Sequence, residues 1–461
     1  MKNYSLKPTN ENAIKMLRED PIGRREDIFR FIHLIDAIDD SCVIALNGDW
    51  GSGKTFFIKQ VKLILDSKNS LSTMPEETRN AVQNAIRTNF SCGEHYSTVY
   101  YDAWTNDNHD DPILSLMYAT ICSRQSDLAI ERKRSMLESL ASITTAVSGI
   151  NITNVIKTLK GEDIMASLKD SDDIRELVKI FIDSLIQEKG NRLIIFVDEM
   201  DRCKPDYAIQ FLERIKHYFD DDRITFVFSV NLSQLQWTVK SYYGEGFDAT
   251  RYLDKFFDLR VSIPEVDYDR YLSQQFGFDT SGSLYSTVCI QTVKAFHFSL
   301  REIERYIRLI KIAAYTHANN IGDYTFPSRM AVEFATLYII PIVIGLQMFD
   351  MKKYSDFIAG KDVSLMLDIL LTPGIWIKRA YILDRDECFH EDVNEPNYVA
   401  QDKVLSLKDR LTEIYRALFS EVYANNYERM VIGRMEISAK TRNEVQKIVS
   451  LLSSVSDYNF D

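Results

Sequence analysis

The chain has 461 residues, of which 45% are hydrophobic and 26% charged, and a formal net charge of −12. That length predicts about three domains with ample core, and the composition is that of an ordinary globular protein. The acidic balance argues against a broad nucleic-acid surface and leaves room only for a local basic groove. The six cysteines, Cys42, Cys92, Cys122, Cys203, Cys289 and Cys388, contain no C-x-x-C pair. Neither a zinc site nor a disulfide framework follows, and reduced thiols in a cytosol are the simpler expectation. Cys92-x-x-His95 and Cys388-x-His390 lack second halves and read as incidental. Met1–Ser5 has no apolar run behind it, so no signal peptide is predicted.

In chain order, the first apolar run, Val43–Asn47, leads into Gly48-Asp49-Trp50-Gly51-Ser52-Gly53-Lys54-Thr55. An amphipathic segment, Phe56–Leu65, follows. Further strand-like runs are Thr98–Asp102, Leu193–Val197, Thr225–Val230 and Leu259–Ile263. All but the last precede segments of helical periodicity, which predicts βα units around a parallel sheet. A long connection, Pro112 to Gly190, reads as a helical insertion that includes Asp172–Glu188 and a small-residue tract, Ala141–Ile150.

After Pro264 helices dominate. Ser299–Ile310 carries apolar residues at 300, 303, 306, 307 and 310, one face of a helix. Thr336–Phe349 is the greasiest stretch. It is short of the ~20 residues that span a bilayer and contains Pro341, so a buried helix is expected. Gln401–Tyr423 reads as an amphipathic helix, and Thr441-Arg442-Asn443-Glu444 as a capping box opening a final helix through about Val455. The predicted organisation is α/β: a sheet domain over residues 1–264 with an insertion at about 112–190, a helical lid over 265–330, and an all-α C-terminal region over 331–461.

The sequence Gly48–Thr55 is a complete G-x-x-x-x-G-K-[ST] phosphate loop in the strand–loop–helix context the motif requires. Its glycines let the backbone wrap a phosphate chain, and the helix that follows aims its free N–H groups at the β-phosphate. Gly48, Asp49, Trp50, Gly51, Ser52, Gly53, Lys54, Thr55 and Phe56 form the predicted nucleotide-binding set. Lys54 can reach the β- and γ-phosphates, and the Thr55 hydroxyl can ligate Mg²⁺. The run Leu193–Val197 ends in Asp198-Glu199-Met200-Asp201-Arg202. An acid at the carboxyl end of a central parallel strand sits where ligands bind in open α/β sheets. Asp198 is the expected Mg²⁺ partner of Thr55, and Glu199 the base that polarises an attacking water.

Together these residues resemble the KAP family of P-loop NTPases, in the additional-strand, catalytic-glutamate class with the AAA+ and STAND ATPases. The resemblance rests on the phosphate loop, on Tyr101-Asp102-Ala103-Trp104, on Asp110-Asp111-Pro112, and above all on Val197–Pro205, close to the family's D-[DE]-x-D-R-C-x-P signature. It continues through Ala208–Lys216, Val227–Asn231, Tyr252–Phe257 and Arg301–Arg305, and covers about residues 15 to 315. Many relatives insert membrane helices between the phosphate loop and the acidic strand. This chain has only the 141–150 tract there, so the resemblance is to a soluble, cytoplasmic member with no membrane partner.

The resemblance implies ATP as nucleotide, Mg²⁺ as its metal, and hydrolysis. It implies a sensor at Asn231, where relatives often carry Asp, and an arginine reaching a neighbour's γ-phosphate at Arg251. Arg202 is the rival finger or a structural ion pair, and Arg301 the second sensor on the lid. Asp110 and Asp111 read as a helix N-cap, and relatives cradle the adenine near Asp20–Arg25. The partners implied are ATP and either further copies of the chain or a separately encoded effector. By analogy with bacterial relatives the setting is an antiphage defence system. A nucleotide-gated scaffold and a DNA-stimulated ATPase are the alternatives.

Overall fold

The computed structural model describes residues 7–86, 95–109, 111–123, 191–276, 284–318, 327–382, 397–400, 403–422 and 429–456, with short helical stretches within 175–186. The chain forms two compact units, one spanning Leu6–Val266 and the other built on Asp267–Asp461.

The first unit begins with α1 (Asn10–Glu19) and α2 (Arg25–Asp36). The sheet then alternates with helices: β1 (Cys42–Asn47), α3 (Lys54–Lys68), α4 (Glu76–Ile86), β2 (Tyr96–Asp102), α5 (Pro112–Ser123), β3 (Arg192–Asp198), α6 (Pro205–Tyr218), β4 (Ile224–Val230), α7 (Leu232–Tyr243), α8 (Ala249–Leu253) and β5 (Leu259–Ser262). All five strands are parallel, in the order β2-β3-β4-β1-β5. The central strands are buried on both faces, which is why β3 and β4 read as unbroken apolar runs. Successive side chains point to opposite faces. Leu193, Ile195, Val197, Phe226 and Phe228 join a core packed with α5, α6 and α7, while Ile194, Phe196, Val227, Ile44 and Leu46 join a second core packed with α1 to α4. Two helical layers thus clamp one sheet, an α/β P-loop arrangement.

The order of strands decides where chemistry sits. The chain leaves β1, crosses to the far edge at β2, and returns through β3 and β4, so β4 lies between β1 and β3. The loops after β1, β3 and β4 therefore meet at one carboxyl end of the sheet, the crevice where open α/β sheets bind ligands. Of the long insertion, the part corresponding to Ala141–Ile150 lies outside the described residues, as does much of Asp172–Glu188.

The second unit is mainly helical, and two two-stranded antiparallel sheets within it correct the all-α expectation for 331–461. The expected lid helix is α11 (Leu300–Ala318), preceded by α9 (Tyr268–Phe276) and α10 (Leu284–Phe296). Its start is a capping box: the Ser299 N–H donates to Glu302 Oε2 at 2.8 Å and the Glu302 N–H to Ser299 Oγ at 3.4 Å. Ile303, Tyr306, Ile307 and Ile310 are buried, as the periodicity requires. The apolar stretch forms one helical rod, Met330–Phe349, the only helix among the described residues long and apolar enough to cross a membrane, with 72% of its most apolar window buried inside the unit. A π-turn, Ala335–Ile339, precedes α-helical Ile340–Phe349. Pro341 has no N–H to continue the ladder, and the widened turn ahead of it absorbs the mismatch.

Two further expectations in this unit are corrected. Residues 403–406 are not the first turn of a helix but a strand, Lys403–Ser406, paired antiparallel with Asn397–Ala400, and the helix is Leu407–Phe419. Thr441 does not cap the last helix, which spans Ala439–Ser456. Ser438, three residues earlier, does so: the Thr441 N–H donates to Ser438 Oγ, and Thr441 Oγ1 accepts from the Ser438 N–H, each at 3.4 Å. Ser438 also ends the second strand of a hairpin, Arg429–Ile432 with Met435–Ser438, whose four-residue strands are too short to stand out by alternation.

Candidate functional site

The phosphate loop departs from β1 as its sequence requires. Gly51 and Gly53 adopt φ of 81° and 91°, which side chains with a Cβ disfavour, and Gly53 is the residue from which α3 starts. A Cβ on Gly48 would run into Ile263 and the Ser52 hydroxyl. The Gly48 N–H donates to the Val230 carbonyl at 3.1 Å, so the loop is anchored on β4.

Lys54 is nine-tenths buried, and its Nζ donates to the loop carbonyls of Gly48 at 2.5 Å and Asp49 at 3.1 Å. Burial pulls its ammonium below the ordinary value, and the carboxylates of Asp201, Asp198, Glu199 and Asp49 act against that. A cation desolvated this far and ringed by acids is a local charge centre aimed at the loop interior.

Asp198 ends β3 and is 1% exposed. Burial raises its pKa, while the nearby hydroxyls of Ser229 and Thr55 and the Tyr100 phenol lower it. The Tyr100 contact is 3.0 Å. Asp198 and Thr55, predicted as a metal pair, are therefore neighbours. Glu199 follows in the left-handed region, φ 60° and ψ 22°. Burial and then the Asp198 charge push its carboxyl up; Arg202, whose Nε lies 2.5 Å from Glu199 Oε2, pulls it down.

Asn231 is both a cap and a member of the site. Its Oδ1 accepts from the Gln234 N–H at 3.2 Å at the start of α7, and its Nδ2 donates to Asp49 Oδ1 in the phosphate loop at 3.2 Å. Thus Gly48–Thr55, Asp198, Glu199 and Asn231 come together at one end of the sheet. Phe56 and Gly53 line a narrow cleft with Asp20, Ile22, Arg24 and Arg25, the segment expected near a base.

The Arg251 side chain is 87% exposed on α8, and its ionic partner is Asp248 at 3.5 Å. Arg301 belongs to the second unit, exposed on α11 with its charge near Glu304. The Asp111 carboxylate caps α5 by accepting from Ile113 and Leu114 and pairs with Arg214; Asp110 lies outside the described residues. Sequence reasoning named the Asp20–Arg25 segment without singling out Arg24, and missed Tyr100, on the strand beside β3. The 3%-exposed Arg24 donates from Nη1 to the Ser52 carbonyl at 2.6 Å and from Nη2 to the Pro264 carbonyl, tying the loop to the chain after β5. No motif marks Arg24, because both acceptors are backbone.

The KAP family P-loop domain matches residues 27–317, more than half of the chain. The chain belongs to the KAP family of P-loop NTPases. No curated protein matches it. The KAP match covers Gly48–Thr55, Asp198, Glu199 and Asn231 and ends within α11, and it makes the loop a nucleotide-binding element.

The residues of this KAP domain fit a Mg²⁺-nucleotide. Ser52 Oγ is buried in the loop with no hydrogen-bond partner, an orphaned polar group of the kind that a bound ligand satisfies. Gly51 and Gly53 hold positive φ, as a phosphate-wrapping loop needs, and the Asp198 carboxylate with the Thr55 hydroxyl supplies the hard oxygen pair that Mg²⁺ takes.

Proposed function

We propose that the KAP domain binds ATP with Mg²⁺ and hydrolyses it, driving a nucleotide-dependent assembly. The observation that carries the reading is the adjacent acid pair on β3, with Asp198 against Thr55 and Glu199 one residue on, held over a loop centred on buried Lys54. Lys54, the loop N–H groups and the N-terminus of α3 would hold the phosphates; Thr55 and Asp198 would hold the metal, which supplies charge neutralisation at the transferred phosphoryl group. Glu199 would take the proton of the attacking water, and Asn231, tied to Asp49, would orient that water or the terminal phosphate. Asn is no base, so proton removal falls to Glu199. ATP over other nucleotides rests on family resemblance, with the Asp20–Arg25 cleft as the base site.

Arg251 is the residue we propose for a neighbouring protomer's γ-phosphate; its exposure and its weak pairing with Asp248 support that role. Residues 265–330 would act as the lid, with Arg301 as second sensor. The antiphage setting, as the ATPase subunit of a defence system acting with other copies or an effector, is by family analogy. Phosphate release from ATP and Mg²⁺ by the purified chain tests the hydrolysis; no release above a Lys54→Ala control would rule it out. Light scattering of Glu199→Gln with and without ATP tests the assembly. A defined multimer only with ATP is expected, and an unchanged monomer would favour a nucleotide-gated scaffold.

A further inference from the structure

Two tryptophans stand half-exposed at the site without a part in the chemistry above. Trp50 is in the phosphate loop, 46% exposed, and Trp104 in the turn after β2, 50% exposed. Indole rings left in loops gain little from solvent, and what they face here is one guanidinium. The Arg202 Cζ lies 5.9 Å from the Trp50 ring centroid and 5.3 Å from that of Trp104, both within cation–π reach. The same Arg202 pairs with Glu199 at 2.5 Å. A second tie runs alongside: Trp50 Nε1–H donates to Asp201 Oδ2 at 2.6 Å. The topology explains the meeting. β2 and β3 are paired up to Asp102 and Asp198, and the Ala103 N–H donates to the Asp198 carbonyl at 3.0 Å, so the turns carrying Trp104 and Arg202 are neighbours.

We propose that Arg202 is a positioning residue for Glu199, and that Trp50 makes its hold depend on the phosphate loop; this rests on the ATPase reading above. Glu199 needs such a hold. Its backbone is left-handed, a conformation disfavoured for a residue with a Cβ, and it stands just before a single short turn, Met200–Arg202. A carboxylate so placed has several rotamers open to it. The ion pair with Arg202 engages one oxygen and leaves the other for water. Arginine suits the position because a planar guanidinium can lie against indole faces while its Nε–H points at the carboxylate; lysine would keep the charge and lose the plane. Because Trp50 belongs to the loop that wraps phosphate, any change in that loop on nucleotide binding reaches Glu199 through Trp50 and Arg202. Loop and base are linked side chain to side chain, independently of the backbone.

Only four tryptophans are present, so a Trp237→Phe, Trp376→Phe background leaves Trp50 and Trp104 as the sole indole reporters. In that background Glu199→Ala and Arg202→Ala are each expected to shift indole emission before nucleotide is added. ATP with Mg²⁺ is expected to change emission in the parent and to give a smaller change in Arg202→Ala. Kinetically, Arg202→Ala should lower kcat about ten- to a hundredfold by misplacing the base, with ATP affinity changed less than about twofold. Arg202→Lys, the variant that guards against simple misfolding, should recover part of kcat but not the parent emission. The losses of Trp50→Phe and Arg202→Ala should be non-additive in the double variant, as for residues acting as one unit. Emission indifferent to Glu199→Ala, parent-level kcat in Arg202→Ala, or strictly additive losses would each overturn the proposal. If the parent released no phosphate, the ATPase reading would fall, while the emission arm would still decide whether Trp50, Arg202 and Glu199 are linked.

Discussion

The two units bury polar groups for different purposes. In the Leu6–Val266 unit, Lys54, Asp198, Asp201 and Asn231, each under a tenth exposed, crowd one end of the sheet. The charged members are packed against one another: the Lys54 ammonium donates to two carbonyls with the Asp201, Asp198, Glu199 and Asp49 carboxylates around it, and Asp198 accepts from the Tyr100 phenol and one N–H. In the Asp267–Asp461 unit, the buried polar residues among the described ones are Thr292, Thr336, Gln347, Thr441 and Arg442, with no buried acid. The hydroxyls of Thr292 and Thr336 donate to the carbonyls four residues back, at 2.8 Å each. Buried phenols do likewise, Tyr306 to the Pro341 carbonyl at 3.1 Å and Tyr415 to the Phe357 carbonyl at 2.7 Å. Such polar groups are structural and already satisfied. Packing several charged groups together out of water is costly; the second unit buries only the Arg442 cation, which donates to the Ala417 carbonyl, while the cluster in the first unit fits a site for a charged ligand.

That contrast can be broken or sharpened by mutation. The largest effect expected is Glu199→Gln, which should cut phosphate release about a hundred- to ten-thousandfold while leaving ATP affinity intact, as loss of a general base does. Lys54→Ala should weaken ATP binding roughly a hundredfold, from losing charge-assisted contacts of about 1.5–3 kcal/mol each, measured by calorimetric titration. Phe334→Ala, a fully buried ring in the second unit, should cost about 3–5 kcal/mol in denaturant unfolding and leave ATP binding unchanged. An equal loss of ATP affinity would show that the two units do not divide the work. Tyr306→Phe should cost about 1 kcal/mol, the net worth of one hydrogen bond.

A pH-dependent effect is expected at Glu304 on α11. Burial pushes its carboxyl up to about 7, against the pull of Arg301 and Arg308. Its pKa in the unfolded chain is about 4.3, so between these values the native state binds more protons than the unfolded one. Stability should therefore fall as pH rises from about 4.3 to about 7, and Glu304→Gln should flatten that slope in unfolding titrations.

How far each part was legible in the sequence follows from the same physics. The strands β1, β3 and β4 were readable because strands buried on both faces must be apolar, while the largely exposed β5 showed only as a short run; Gly48–Thr55 and Asp198–Glu199 were readable because phosphate and metal chemistry demands fixed residue types at fixed spacing. Asn231 was readable only as a polar residue ending a strand; its bond to Asp49, 182 positions away, is a product of topology. Within Asp20–Arg25 nothing singled out Arg24, and Tyr100 left no signal, since one grips backbone carbonyls and the other looks like any strand tyrosine. The hairpin strands Lys403–Ser406 and Arg429–Ile432 were hidden by their brevity, each four residues long. The true cap at Ser438 was masked by a better-looking pattern at Thr441–Glu444.

The most direct test of the central claim is to measure ATP binding and phosphate release together, with Mg²⁺, for the wild-type chain, Lys54→Ala and Glu199→Gln. The account predicts binding and release in the wild type, binding weakened about a hundredfold and no release in Lys54→Ala, and undiminished binding without release in Glu199→Gln. Release by Glu199→Gln at the wild-type rate would contradict it, and would move the chemistry away from the acid pair on β3.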